Sequence, residues 1–267
     1  MPILNRPGAD IWYEAHGDGP ALLFLHGRAG NAANWWRQVA HFTPDHRVIV
    51  FDLRAFGRSR CDPEAFQIDH MVDDIGAVLD VCNVERAAIV CQSMSGIIGL
   101  RFALAAPERV AGLMLCSTLG GITTPDLRAR LRKYEAANTI ELPDRAFAPG
   151  YRDREPELFA LYEQLGAFNT GFDPAWRTRL SAPDASLSPD NFDGYDTTTM
   201  FVVGEHDLFF PPEMVREVAA YVPGAPAVMF GDAGHSPYWE DPDGFNQLTS
   251  IWLADSVYKT WRPELTP

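Results

Sequence analysis

The 267-residue sequence has few cysteines, and their spacing matches neither a metal site nor a disulfide framework. Its four cysteines, Cys61, Cys82, Cys91 and Cys116, are scattered, and none belongs to a CxxC pair or a Cys/His cluster. Structural metal sites need closely spaced ligands, and this spacing offers none, so we expect four free thiols and no metal. We expect no other cofactor either.

Long apolar runs and basic residues are also scarce. No run approaches the roughly 20 apolar residues of a membrane-spanning helix, and residues 1–7 lack a signal-peptide layout. Lysine and arginine number 22 against 36 acidic residues, and the net charge of −14 disfavours nucleic acids and anionic membrane surfaces. We therefore expect a cytoplasmic protein that acts on a small molecule, with a homodimer left open.

The sequence does contain short apolar runs that alternate with helical patterns. Most runs lack polar alternation, which is typical of strands buried on both faces of a parallel sheet. This alternation predicts an α/β domain with a mainly parallel sheet. The runs predicted as strands are residues 11–15, 21–25, 48–51, 87–91, 110–116, 200–203 and 227–230.

Residues 120–196 interrupt this rhythm. The interval holds helical stretches at 127–137 and 155–168 and a loop-like run at 181–189. We interpret residues 1–119 and 197–267 as the core and 120–196 as an inserted helical cap. Ligands in open α/β sheets bind beyond the carboxyl ends of the strands, where an insert can cover them. The alternative is that these helices only cover the surface.

Residues 88–96 carry the most informative motif. An apolar run ends at Ser93, an apolar helical pattern follows, and Cys91 and Ser95 are small residues two positions before and after it. This is the pattern of a nucleophile elbow, a tight turn that exposes a serine hydroxyl. The serine's unfavourable backbone conformation requires such small neighbours. The alternative is an ordinary turn or helix cap.

A serine hydroxyl becomes nucleophilic only when a base takes its proton, and the base needs an orienting carboxylate. His235 follows the last predicted strand in a glycine-containing loop and is the candidate base; Asp207 is the candidate acid. His206 competes less well, because adjacent residues at a strand end tend to point apart. Asp232 and Glu240 compete as the acid, but they lie in the histidine's own loop.

Acyl transfer also needs N–H donors for the negative charge on the carbonyl oxygen. Met94 follows the serine and supplies one candidate N–H. Arg28, in the glycine-containing run at residues 26–30, supplies the other, since glycine lets the backbone approach a substrate closely. The alternative is an ordinary glycine turn. The Arg28 side chain fits either a substrate carboxylate or solvent.

Together these motifs resemble the α/β-hydrolase superfamily over nearly the whole chain. They fall in the family's order at residues 26–30, 52–59, 91–95, 204–207 and 234–235. The resemblance implies an eight-stranded, mostly parallel sheet flanked by helices, with a cap after the sixth strand. It also implies a triad and two oxyanion donors, namely Ser93, Asp207, His235, Arg28 and Met94. Cys91, Ser95 and Ala55 replace glycines of the commonest pattern.

The sequence therefore predicts a metal-free serine hydrolase that cleaves a carboxylic ester or lactone. Aromatic residues near the motifs predict a largely apolar pocket, although each could instead pack the core. These candidates are Trp35, Phe209, Tyr238 and Trp176. Carbon–carbon bond hydrolases of ring-fission diketones share the motifs, and a non-catalytic ligand-binding homologue is a further alternative.

Overall fold

A computed structural model describes residues 2–28, 30–181 and 186–259, except the side chains of residues 177, 178, 180 and 181. Within this part of the chain, nine strands form one sheet. The strands are β1 (Ile3–Arg6), β2 (Ala9–His16), β3 (Ala21–Leu25), β4 (Arg47–Phe51), β5 (Arg60–Cys61), β6 (Ala87–Gln92), β7 (Val110–Cys116), β8 (Thr199–Gly204) and β9 (Ala227–Phe230).

Eight of these strands lie side by side in the order β1-β2-β4-β3-β6-β7-β8-β9, and the short β5 pairs with β2. The strands from β4 to β9 along this order are parallel, whereas β2 is antiparallel to β1, β4 and β5. The predicted mostly parallel, eight-stranded sheet is confirmed. The sequence patterns missed β1 and β5, because β1 is partly exposed and β5 has two residues.

Helices cover both faces of the sheet, which explains why the strands are apolar without alternation. Leu23 and Ile89 pack into one hydrophobic cluster, while their neighbours Phe24 and Val90 pack into the other. The helices are α1 (Trp36–Phe42), α2 (Ile68–Val81), α3 (Ser95–Ala105), α4 (Pro125–Ala137), α5 (Tyr151–Arg154), α6 (Pro156–Gly166), α7 (Pro212–Ala219), α8 (Pro237–Glu240) and α9 (Pro242–Trp252).

Residues 120–196, called the insert below, lie between β7 and β8 and contain α4, α5 and α6. A parallel bridge between Ile122 and Leu187 brings the two ends of the insert together. Residues 182–185 of the loop-like run lie outside the described residues. The division of the chain into a core and a cap stays a prediction.

All four cysteines are free thiols, as the sequence indicated, and three of them are buried. Among the described residues, no helix combines the length and the apolar character that crossing a bilayer requires.

Candidate active site

The six parallel strands end at one edge of the sheet, and the loops beyond that edge carry the candidate residues. The run at residues 26–30 follows β3, Ser93 follows β6, Asp207 comes three residues after β8, and His235 comes five after β9. Carboxyl ends of parallel strands form the crevice in which such sheets bind ligands. Residues that are 142 positions apart in the chain thereby meet.

Ser93, His235 and Asp207 form one hydrogen-bonded chain. His235 Nε2 lies 2.9 Å from Ser93 Oγ, and His235 Nδ1 lies 2.9 and 3.0 Å from the two carboxylate oxygens of Asp207. His235 and Asp207 are buried, whereas Ser93 is partly exposed. A carboxylate accepts the Nδ1 proton and leaves Nε2 as the acceptor for the serine hydroxyl. The arrangement can therefore transfer a proton from serine to imidazole.

The Asp207 carboxylate is fixed by its own loop. Its Oδ1 atom accepts the N–H groups of Phe209 and Phe210, at 2.8 and 3.0 Å. The Tyr134 hydroxyl, from α4 in the insert, donates to the Asp207 carbonyl at 3.1 Å. Such contacts restrict the carboxylate to the orientation that faces His235.

The competing titratable residues lie elsewhere. His206 groups with Glu205 and Asp232, and the potential ligand atoms of the three lie within 4.8 Å of one another. All three are exposed, and exposed acidic groups commonly gather without an ion. Glu240 accepts the backbone N–H groups of Gly234 and Ala148. Neither alternative acid therefore replaces Asp207 beside the imidazole.

The turn around Ser93 has the strained geometry of an elbow. Ser93 has a φ of +54°, in the left-handed region that residues with a side chain rarely adopt. Its N–H donates to the Cys116 carbonyl at 2.9 Å. The Ser95 hydroxyl accepts the Gln92 N–H and donates to the Leu25 carbonyl, both at 2.9 Å. Bonds to β3, β6 and β7 thus hold the strained turn in place.

The departure from glycine at Cys91 has a structural compensation. Cys91 is fully buried, and its Sγ atom occupies the space that a side chain at Gly99 on α3 would need. Burial also raises the pKa of the Cys91 thiol far above its usual range, which keeps this sulfur protonated and unreactive. The elbow therefore accommodates cysteine because α3 has a glycine opposite it.

His26 orders the loop that carries Arg28. Its Nδ1 atom donates to the Gly27 carbonyl at 2.8 Å, and its Nε2 atom accepts the Leu53 N–H at 3.0 Å. Burial lowers the pKa of His26, so its imidazole stays neutral in this tautomer. Met94 directly precedes α3, where N–H groups lack partners within the helix. That the Arg28 and Met94 N–H groups bind an oxyanion stays a prediction.

Two further side chains hold this loop against its surroundings. Asp52 Oδ1 accepts the Ala32 N–H at 2.7 Å, and its Oδ2 accepts the Arg58 N–H at 2.8 Å. Asn169, from the insert, donates to the Gly30 carbonyl at 3.1 Å. Ala29, in the middle of the loop, lies outside the described residues.

The four aromatic residues predicted to line a pocket separate into different environments. The Phe209 ring is partly exposed, and its centroid lies 4.5 Å from that of His235. Trp35 and Tyr238 are buried, and their ring centroids lie 4.3 Å apart. That they line a substrate pocket stays a prediction. The Trp176 ring packs on the Phe66 ring, and their centroids lie 5.1 Å apart.

Sequence reasoning also missed contacts at the site. The Gln92 amide donates to the His235 carbonyl at 3.1 Å, and the Phe210 ring lies 5.8 Å from the His235 ring. Gln92 directly precedes the serine, but its partner is 143 residues away. No local pattern could indicate that pairing.

Comparison with known proteins identifies the family of this chain. The family model of the alpha/beta hydrolase fold matches residues 20–169, more than half of the chain. The chain therefore belongs to the α/β-hydrolase family, and it is a hydrolase of that family.

Individual relatives are similar over nearly their whole length. A protein of Azorhizobium caulinodans, provisionally named carbamate hydrolase RutD, is 29% identical, over 93% of this chain and 96% of the relative. The structure of Est816, described as an N-acyl homoserine lactone degrading enzyme, has a TM-score of 0.77 and 28% identity, over 93% and 99% of the chains. A thermophilic esterase from Thermogutta terrifontis, with malate bound, has a TM-score of 0.74 and 25% identity, over 92% and 93%.

Proposed function

We propose that the protein is a serine hydrolase that cleaves a carboxylic ester or lactone through an acyl-enzyme. Ser93 is the nucleophile, His235 the general base and Asp207 the residue that orients the imidazole. The observation that carries this proposal is the continuous hydrogen-bonded chain from the Ser93 hydroxyl through His235 to the Asp207 carboxylate. The partly exposed Ser93 side chain is also accessible to a substrate.

The reaction begins when Ser93 Oγ attacks the substrate carbonyl carbon while His235 Nε2 takes the hydroxyl proton. The N–H groups of Arg28 and Met94 stabilise the negative charge on the carbonyl oxygen. The carbon–oxygen bond then breaks, and His235 gives its proton to the leaving alcohol. Water activated by the same imidazole then attacks the acyl carbon, the bond between that carbon and Ser93 Oγ breaks, and the carboxylic acid leaves. The proton that His235 took from the water passes to Ser93 Oγ. Asp207 stabilises the imidazolium at both stages.

An ester or lactone with a largely apolar body suits the rings beside the imidazole. Phe209 and Phe210 both contact the His235 ring and are partly exposed. Apolar walls with a few polar groups are typical of small-molecule sites. The similarity to an esterase and to a lactone-degrading enzyme supports the same substrate classes.

A carbamate is a second candidate substrate. It is supported by the 29% identity to the RutD protein along 93% of this chain. A carbamate ester presents the same kind of carbonyl carbon and the same alcohol leaving group, so the residue roles above would not change. Ring-fission diketones, cleaved at a carbon–carbon bond, remain the third alternative.

Replacement of Ser93 with alanine tests the nucleophile. We expect hydrolysis of p-nitrophenyl esters to fall by roughly 10⁶-fold, because the attacking oxygen is lost. Circular dichroism should stay unchanged. Ser250→Ala, on α9, is the matched control and should keep full activity. Near-wild-type turnover by the Ser93 variant would refute the assignment.

Two further measurements separate the alternatives. A fluorophosphonate probe should label Ser93 of the wild type, because only an activated serine reacts; an unlabelled protein would indicate a non-catalytic binder. Activity should then be compared on p-nitrophenyl esters of graded chain length, an acyl homoserine lactone, a p-nitrophenyl carbamate and a ring-fission diketone. The class with the highest kcat/KM identifies the bond.

A further inference from the structure

Glu240, the last residue of α8, lies directly behind the loop that carries His235. Its Oε1 atom accepts the Gly234 N–H and its Oε2 atom accepts the Ala148 N–H, both at 2.8 Å. The Ser236 N–H also favours the ionised carboxylate. One carboxylate thus interacts with the backbone on both sides of His235 and with the insert.

The His235 loop and the insert are in close backbone contact at this place. A side chain at Gly234 would collide with the backbone of Phe147 and Ala148. On the other side of the loop, the Gln92 amide donates to the His235 carbonyl at 3.1 Å. The loop around His235 is therefore held from two directions: Gln92 bonds to the His235 carbonyl, and the Glu240 carboxylate bonds to the neighbouring Gly234 N–H.

We propose that Glu240 is a positioning residue, whose carboxylate fixes the His235 loop against the insert so that the imidazole stays within reach of Ser93 Oγ. This inference rests on the proposed function. Glu240 touches neither the serine nor the imidazole, and it acts through the peptide groups of Gly234 and Ser236. Small displacements of a catalytic group have large effects, since misplacement by about 1 Å can cost about 100-fold in rate.

Burial and hydrogen bonds act on the Glu240 carboxyl group in opposite directions. Burial raises the pKa of Glu240 to about 7, the three N–H groups oppose this rise, and the Asp207 charge adds to it. The tyrosines facing it are Tyr151, Tyr162 and Tyr238. Glu240 also borders a cleft of about 550 Å³, whose charged and titratable lining residues include Arg154, Glu155, His206, Asp232 and Asp241.

The test is Glu240→Gln in the full-length protein, with Glu155→Gln as the matched control. Both variants replace a carboxyl group with an amide at the same cleft. The glutamine at 240 retains one acceptor but turns an NH₂ group towards one of the N–H donors. We expect kcat to fall by about 10- to 100-fold with KM within about twofold, because the substrate site is untouched. Fluorophosphonate labelling of Ser93 should slow by a similar factor. The control should behave as wild type.

Unchanged kcat and labelling rate in the Glu240→Gln variant would overturn the proposal, as would an equal loss in the control. Both assays are run where circular dichroism shows the variant fully folded. If that variant does not fold, Glu240→Asp keeps the charge but withdraws it from the two N–H groups, and the same comparison applies. A wild type that is not labelled would instead refute the proposed function, so the two failures are distinguishable.

Discussion

At the residue scale, the elbow shows how a glycine on a neighbouring helix makes room for a cysteine in the turn. Cys91 stands two positions before the nucleophile candidate, where a glycine is commonest, and its sulfur fills the space beside Gly99. A close-packed interior has no spare volume for a second side chain there. Gly99 is thus required by Cys91.

Gly99→Ala should therefore destabilise the fold by about 1–3 kcal/mol through overpacking against the Cys91 sulfur. Adding Cys91→Gly should restore part of this loss, because the sulfur that collides is removed. Urea unfolding of the four members of this double-mutant cycle measures the coupling.

Gly76→Ala, on α2, is the control, since its added carbon would lie at an ordinary 3.6 Å from the Phe102 ring. If the losses of unfolding free energy caused by the Gly99 and Cys91 changes were strictly additive, the proposed compensation would be contradicted.

At the element scale, a buried ion pair joins pieces of chain that are distant in sequence. The Arg54 guanidinium donates to both oxygens of Asp74 on α2, at 2.6 and 2.9 Å, and both side chains are almost fully buried. Arg6, at the end of β1, donates to the same carboxylate at 3.0 Å. The turn after β4, the helix α2 and the edge strand β1 are thereby connected.

Asp74→Ala should cost about 3–5 kcal/mol of unfolding free energy, because it leaves the Arg54 charge buried without its partner. Asp69→Ala on the same helix is the control. Asp69 pairs with Arg101 at the surface, where ion pairs contribute at most about 1 kcal/mol. Chemical denaturation measures the unfolding free energy of both variants. Similar losses of stability in the two would argue against the role of the buried pair.

At the scale of the whole molecule, the insert is bonded to each of three loops at the carboxyl edge of the sheet. Asn169 bonds to Gly30, the Tyr134 hydroxyl bonds to the Asp207 carbonyl, and the Ala148 N–H bonds to Glu240 behind His235. Mutations in the insert can therefore reach the candidate active site through hydrogen bonds as well as through the shape of a pocket.

The same Glu240 contact predicts a pH dependence of stability. The pKa of Glu240 rises from its ordinary 4.5 to about 7 in the folded protein, chiefly through burial, so the folded state holds this proton more tightly than the unfolded chain. Its stabilising contribution is fully present below about pH 4.5 and is lost as the pH rises through about 7. The difference is on the order of 3 kcal/mol.

Urea unfolding of the wild type and Glu240→Gln across pH 4.5–8 isolates this contribution from that of the other carboxyl groups. The stability of the wild type relative to the variant should decline over this range. A difference that is independent of pH would contradict the prediction.

Most of the fold could be predicted because it is encoded locally. Every predicted strand corresponds to an observed strand, to within two residues at each end, since runs buried on both faces have no polar alternation. The mixed residues of β1 and the two residues of β5 carry no such signal. For Trp35 and Tyr238 the sequence left both a pocket and a core position open, because adjacency to a motif does not determine which way a ring points.

The sequence by itself determined the family's motifs and their order along the chain, because a serine turn with small neighbours and a histidine in a glycine-containing loop are local patterns. Only the tertiary structure decided which distant groups contact the candidate residues and their neighbours: Gln92 donates to the His235 carbonyl, and Glu240 accepts the Gly234 N–H. Those contacts form only when loops that are distant in the sequence pack against one another. Their partners are therefore not encoded in any short stretch of sequence.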